Sequence, residues 1–102
     1  LHGTWRYTDS IGGLFVTFQP NGTFSTVREV QERNLFHKVF VQTPVSSGRW
    51  IVQNGKLKFT VLSSIHWDKV QKEFDFTIRS ISQSDLIFID YLGQTGRSIR
   101  VR

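Results

Sequence analysis

At 102 residues the chain has room for one domain around one core, and no apolar run reaches the ~18 residues that a membrane helix needs. It has no cysteine, which excludes disulfides and thiolate chemistry and leaves the compartment open, with a secreted or periplasmic setting favoured. Net charge is +5, and nine Phe, three Trp and two Tyr stand in for the missing Met as core formers. No secretory leader is visible, and the first residue is Leu1 rather than Met, which reads as a processed chain or an excised domain.

The first strand is predicted over Gly3-Thr4-Trp5-Arg6-Tyr7-Thr8, residues that favour extended backbone, and Asp9 to Gly13 breaks it. Leu14 to Gln19 forms a second strand, reversed by Pro20-Asn21-Gly22. A three-residue loop, with Pro20 at the first corner of a type I turn and Gly22 left-handed, sets Phe18 opposite Phe24 and Val16 opposite Thr26. The third strand is expected from Thr23 to about Val30, and the polar run Glu29 to Asn34 reads as a turn. Leu35 to Thr43 is rich in strand formers but does not alternate cleanly, so it is either buried on both sides or bulged. Pro44 marks a break or an edge position.

Ser47 to Val61 holds the strongest local signal. Asn54-Gly55 suits a type I′ turn, whose central residues both need positive φ. That turn opposes Gln53 to Lys56, Val52 to Leu57, Ile51 to Lys58 and Trp50 to Phe59. Opposed residues share a face, so the apolar members gather on one side while Arg49, Lys56, Lys58, Gln53 and Thr60 fall mainly on the other. Ser63 to Val70 reads as an extended connection. From Lys72, Phe74, Phe76 and Ile78 alternate with Asp75, Thr77 and Arg79. A four-residue turn over Ser82 to Asp85 then places Ile78 opposite Ile89 and Phe76 opposite Tyr91. Leu92 to Gly96 is a glycine-bearing loop, and the last strand carries Ile99 and Val101 on one face with Arg100 and Arg102 on the other. About eight strands joined by tight turns predict an all-β domain, either an antiparallel up-and-down barrel or a two-sheet β-sandwich.

The pattern resembles the lipocalin-like group of the calycin superfamily. The resemblance rests on Gly3-Thr4-Trp5, on the hairpin Phe18-Gln19-Pro20-Asn21-Gly22-Thr23-Phe24-Ser25, on Gly48-Arg49-Trp50 leading into Asn54-Gly55-Lys56-Leu57, and on the Arg-bearing last strand. It implies a single barrel domain over 1–102 in which Trp5 plugs one end and Arg100 or Arg102 packs across the indole. It further implies a non-enzymatic domain that binds a small apolar ligand in or at the mouth of the barrel. Avidins share the Gly-Thr-Trp start, but no set of polar residues here maps onto a biotin site.

The residues expected inside are Val16, Phe18, Phe24, Trp50, Val52, Phe59, Phe74, Phe76, Ile78 and Tyr91, and periodicity does not separate a cavity wall from a filled interior. Candidate ligand-lining residues are Phe18, Phe24, Trp50, Phe59, Phe74, Phe76 and Tyr91, with His66 and Trp67 beside Asp68 at the barrel mouth. Successive strand residues point to opposite faces, so at most two of those last three converge. No cofactor or metal is expected, because His2, His37 and His66 lack ligand-like spacing. There is no nucleophile elbow, phosphate loop or dinucleotide fingerprint. Asp85 is expected to serve its turn, Asp90 to pair with a base on a neighbouring strand, and Glu29 and Glu32 to be solvated.

Two other readings remain. One is a cavity-less interaction or structural domain, which a short, Phe-filled barrel would suit. The other is a basic small-barrel binder of nucleic acid or anions. The basic excess lies in 34–72, where Lys38, Arg49, Lys56, Lys58, Lys69 and Lys72 face only Asp68. Such binders put aromatics and bases on one exposed face. Here they fall on opposite faces, which counts against nucleic acid.

Overall fold

The computed structural model describes residues 2–8, 12–33, 38–65 and 70–101, of which 31–33 and 38–41 are described as backbone. They form eight strands: β1 (Gly3–Thr8), β2 (Gly13–Phe18), β3 (Thr23–Arg33), β4 (Lys38–Gln53), β5 (Lys56–Ser64), β6 (Glu73–Ile81), β7 (Asp85–Ile89) and β8 (Thr95–Val101). Each pairs antiparallel with its successor, and β8 returns to β1, so the sheet closes into an up-and-down barrel. Closure gives the first and last strands their missing ladder partners.

Turn chemistry sets the register of the two best-marked hairpins. Asn54 and Gly55 take φ of 54° and 74°, and Gln53–Lys56, Val52–Leu57, Ile51–Lys58 and Trp50–Phe59 face one another as the Asn-Gly turn requires. In the β2–β3 turn Gly22 has φ of 87°, its N–H donates to the Gln19 carbonyl at 3.1 Å, and the Gln19 N–H donates to Thr23 at 2.8 Å. Phe18 therefore opposes Phe24, and Val16 opposes Thr26.

Three expectations are corrected. The polar stretch from Glu29 is strand as far as Arg33, not a turn, because β4 supplies a ladder partner for every residue of it. β2 pairs with β3 only as far as Glu29, and β4 is the described partner beyond it. Pro44 does not break the chain. It lies within β4 opposite Val27, beyond Ser46–Ser64, the last described pair of the β4–β5 ladder, so the break is ruled out and the edge-like position is the one compatible with the structure. The extra residue there is Val45, which bulges between the Val27–Pro44 and Thr26–Ser46 pairs. Finally, a bulge at Arg79 shifts the β6–β7 ladder by one. The four-residue turn does set Ile81 opposite Leu86, but above the bulge Ile78 faces Phe88 rather than Ile89. Phe76 gains no ladder partner in Tyr91, which lies in the turn after β7.

The core is built from Trp5, Phe18, Phe24, Leu57, Val61, Leu86 and Phe88, with Tyr7, Val16, Trp50, Phe59, Phe74, Phe76 and Ile78 packed against it. Val52 is not a core residue and is 40% exposed. β3 begins opposite Arg49, so Val52 stands beyond the end of its neighbour with nothing to cover it on that side. Tyr91 is likewise 52% exposed.

Candidate ligand cavity

The hairpin turns after β2, β4 and β6 share one end of the barrel with the start of β1 and the end of β8. That end is closed by Trp5, which is 1% exposed. Arg100 sits opposite Trp5 in the β1–β8 ladder and lays its guanidinium over the indole, 4.3 Å from the ring centroid. The fork is also fixed by hydrogen bonds, Nη1 donating to the His2 carbonyl at 2.9 Å and Nε to the Gln83 carbonyl at 2.8 Å. Arg102, the alternative partner for Trp5, lies outside the described residues. Gly3 leaves the space that the guanidinium fills, for a Cβ there would come within 2.5 Å of Arg100 Nη1. The same end is buttressed by Trp50, whose indole N–H donates to the Gln19 carbonyl at 3.0 Å.

Above this floor lies a cavity of about 340 Å³ with contributions from all eight strands. Its walls are aromatic and continuous. Phe59 stacks on Phe18 with ring centroids 5.5 Å apart and meets Phe24 and Phe76 edge-on at 5.1 and 5.3 Å. Phe76 passes the contact to Phe88 at 5.4 Å, and Phe88 to Tyr7 at 6.0 Å. At the open end Tyr91 leans on Phe74 at 5.0 Å, so its ring borders the cavity although half of the residue faces water. Tilted and edge-on pairs of this kind hold rings in fixed orientations.

Polar groups on the wall are few. Thr26 and Ser46 face each other across the Val45 bulge with their hydroxyls 2.6 Å apart, and the Ser46 N–H donates to Thr26 Oγ1 at 3.0 Å. Ser98 is 6% exposed and borders the cavity from β8. Arg28, Ser64 and Asp90 line it too. Asp90 Oδ1 accepts the N–H groups of Leu92 and Gln94 at 2.9 and 2.8 Å, so this carboxylate shapes its own turn rather than pairing with a neighbouring base. Asp85 does the reverse of what was expected: it pairs with Arg97 at 2.7 Å. Its turn is instead capped by Ser82, whose hydroxyl accepts the Asp85 N–H at 3.0 Å.

Of the residues expected to line a ligand site, the structure brings Phe18, Phe24, Phe59, Phe74, Phe76 and Tyr91 around this cavity, together with Val16. Trp50 and Ile78 instead border a shallow apolar depression at the closed end with Val52, Ile51 and Ile81. His66, Trp67 and Asp68 lie outside the described residues. The sequence reading missed Leu86, Phe88 and Ser98. Leu86 to Ile89 is apolar throughout and so shows no alternation, and a buried Ser looks like any other strand Ser. On the outer wall Lys58 faces Asp75, and Thr60 faces Glu73, so the basic face of β4 and β5 runs directly into acids on β6. Among the described residues no cluster of His, Cys, Asp or Glu is disposed to hold a metal, and no helix is long and apolar enough to cross a membrane.

A closed eight-stranded up-and-down barrel plugged by a tryptophan under an arginine is a lipocalin-like small barrel. The chain matches the solved structure of a lipocalin-like protein from Bacteroides uniformis ATCC 8492 with a TM-score of 0.63, over 99% of this chain and 98% of that one, at 17% sequence identity. The likeness is one of fold. No protein-family profile and no curated protein sequence matches the chain.

Proposed function

We propose that this chain is a non-enzymatic, lipocalin-like binding domain that takes a small apolar ligand into the barrel through its open end. The observation that supports this is the 340 Å³ aromatic-walled cavity, which falls within the ~300–1,000 Å³ of small-molecule sites. A barrel filled by its own phenylalanines would have no such space, and a nucleic-acid binder would gather rings and bases on one outer face, whereas most described rings line the cavity. Among the described residues no nucleophile, base and orienting group come together on the cavity wall, and the carboxylate of Asp90 is held by backbone amides.

The test is a titration with an environment-sensitive apolar dye of the naphthylamine type, followed by dye emission and by quenching of tryptophan. Trp5 borders the cavity, so saturable quenching is expected. The variant Val16→Phe, which places a ring into the same space, should abolish dye binding while leaving the far-UV dichroism intact. Unsaturable binding, or equal binding by Val16→Phe, would overturn the proposal.

A further inference from the structure

We infer that the cavity takes a small, uncharged aromatic molecule bearing a hydroxyl or carbonyl group, and that the Ser98 hydroxyl is what recognises that group. This rests on the binding reading above and narrows it in size, shape and polarity.

The size follows from volume. At about 340 Å³ the cavity sits at the low end of the ~300–1,000 Å³ of small-molecule sites, which suits a ligand of one or two rings rather than a larger one. The shape follows from the walls. Phe59, Phe76 and Phe88 present faces and edges at fixed tilts, a surface that a rigid flat ring complements better than a flexible chain, which would lose rotamer freedom on entry.

The polarity follows from the hydroxyls. Thr26 and Ser46 satisfy one another. Ser98 is 94% buried on the relative scale that gives it 6% exposure, and its side chain has no hydrogen-bond partner among the described residues. No side-chain polar atom among the described residues is both sealed from solvent and unpaired, so this hydroxyl is reached from the cavity and is free to bond a ligand group in place of water. Among the described lining residues the charges, Arg28 and Asp90, lie at the rim. Arg28 faces Thr43, on the part of β4 that β5 no longer reaches, and Asp90 sits in the turn beyond β7. The described cation nearest Ser98 along β8, Arg100, lies across Trp5 with its fork committed to the His2 and Gln83 carbonyls, so an ionised headgroup carried down to Ser98 would meet no free countercharge among the described lining residues.

The experiment is calorimetric titration of the whole chain and of Ser98→Ala with 2-naphthol, naphthalene and decanoate, alongside thermal melts of both free proteins. The expected result is that the natural chain prefers 2-naphthol to naphthalene about three- to tenfold, the loss typical of one neutral hydrogen bond. Ser98→Ala should erase that preference without weakening naphthalene. It should melt at nearly the same temperature, because the Ser98 hydroxyl bonds no other described residue. Ser98→Cys, a weak donor of similar size, should keep a small preference and serves if the alanine variant fails to fold. Equal affinity for 2-naphthol and naphthalene, a preference that survives Ser98→Ala, or tightest binding of decanoate would overturn the inference while leaving a ligand cavity standing. Failure of all three to bind would overturn both it and the binding reading.

Discussion

Arg100 reaches three parts of the chain at once: the indole of Trp5, the His2 carbonyl ahead of β1 and the Gln83 carbonyl in the β6–β7 turn. A guanidinium on an indole contributes roughly 0.5–2 kcal/mol, and hydrogen bonds from a charged donor add to this, less at an exposed site where water competes. Arg100→Ala should therefore cost about 2 kcal/mol and lower the melting temperature by about 10 °C for a domain of this size. Arg100→Lys should recover less than half, since an ammonium has neither the flat face nor the fork. Gly3 belongs to the same device. At φ of +117° a side chain is strained wherever it points, and here it would also displace Nη1. Gly3→Ala should destabilise the natural chain more than the Arg100→Ala chain, because only the backbone part remains once the guanidinium is gone. A double-mutant cycle on denaturant midpoints measures that difference.

At the level of strands and turns, glycines with different surroundings give a sharp comparison. Gly55 has φ of 74° and nothing within 4 Å of where a Cβ would lie, so Gly55→Ala should cost about 1 kcal/mol, the backbone term alone. Gly48 has ordinary φ, but a Cβ there would run into the Thr60 carbonyl and the Phe24 ring. It abuts the bulge that leaves Leu62 unpaired between Ser47–Ser63 and Gly48–Val61. Gly48→Ala should cost roughly 3 kcal/mol, because backbone must move. Urea denaturation of the two variants side by side checks the order. These positions also mark what could be read in advance. Asn54-Gly55 and Pro20-Asn21-Gly22 fix φ locally, and their ladders followed without error. The bulges at Val45, Leu62 and Arg79 have no such signature, because an extra residue is absorbed where barrel curvature demands it, not where a residue type does. One slip at Arg79 was enough to misplace Ile89, and with it the inner positions Leu86 and Phe88. The aromatic wall was readable because Phe18, Phe24, Phe59, Phe74 and Phe76 alternate with polar neighbours. Whether they enclosed space was not, since the same alternation fits a filled barrel.

Among the described residues Lys58 faces Asp75 on the outer wall and most rings line the cavity, while Phe15 turns outward opposite Arg6. The wall itself is uneven in how its ladders are made. Every strand pair but one joins neighbours in sequence across a short connection. The exception is the seam of Thr4–Val101, Trp5–Arg100 and Arg6–Ile99, whose partners come from opposite ends of the chain. Bringing such distant segments together carries the largest entropy of loop closure, which predicts that the seam is the last ladder to zip. Its contacts are then missing from the rate-limiting barrier. In stopped-flow chevrons Arg100→Ala should leave the folding limb nearly in place and speed unfolding by about thirtyfold, for the ~2 kcal/mol lost. A slowed folding limb would show instead that the barrel nucleates where it closes.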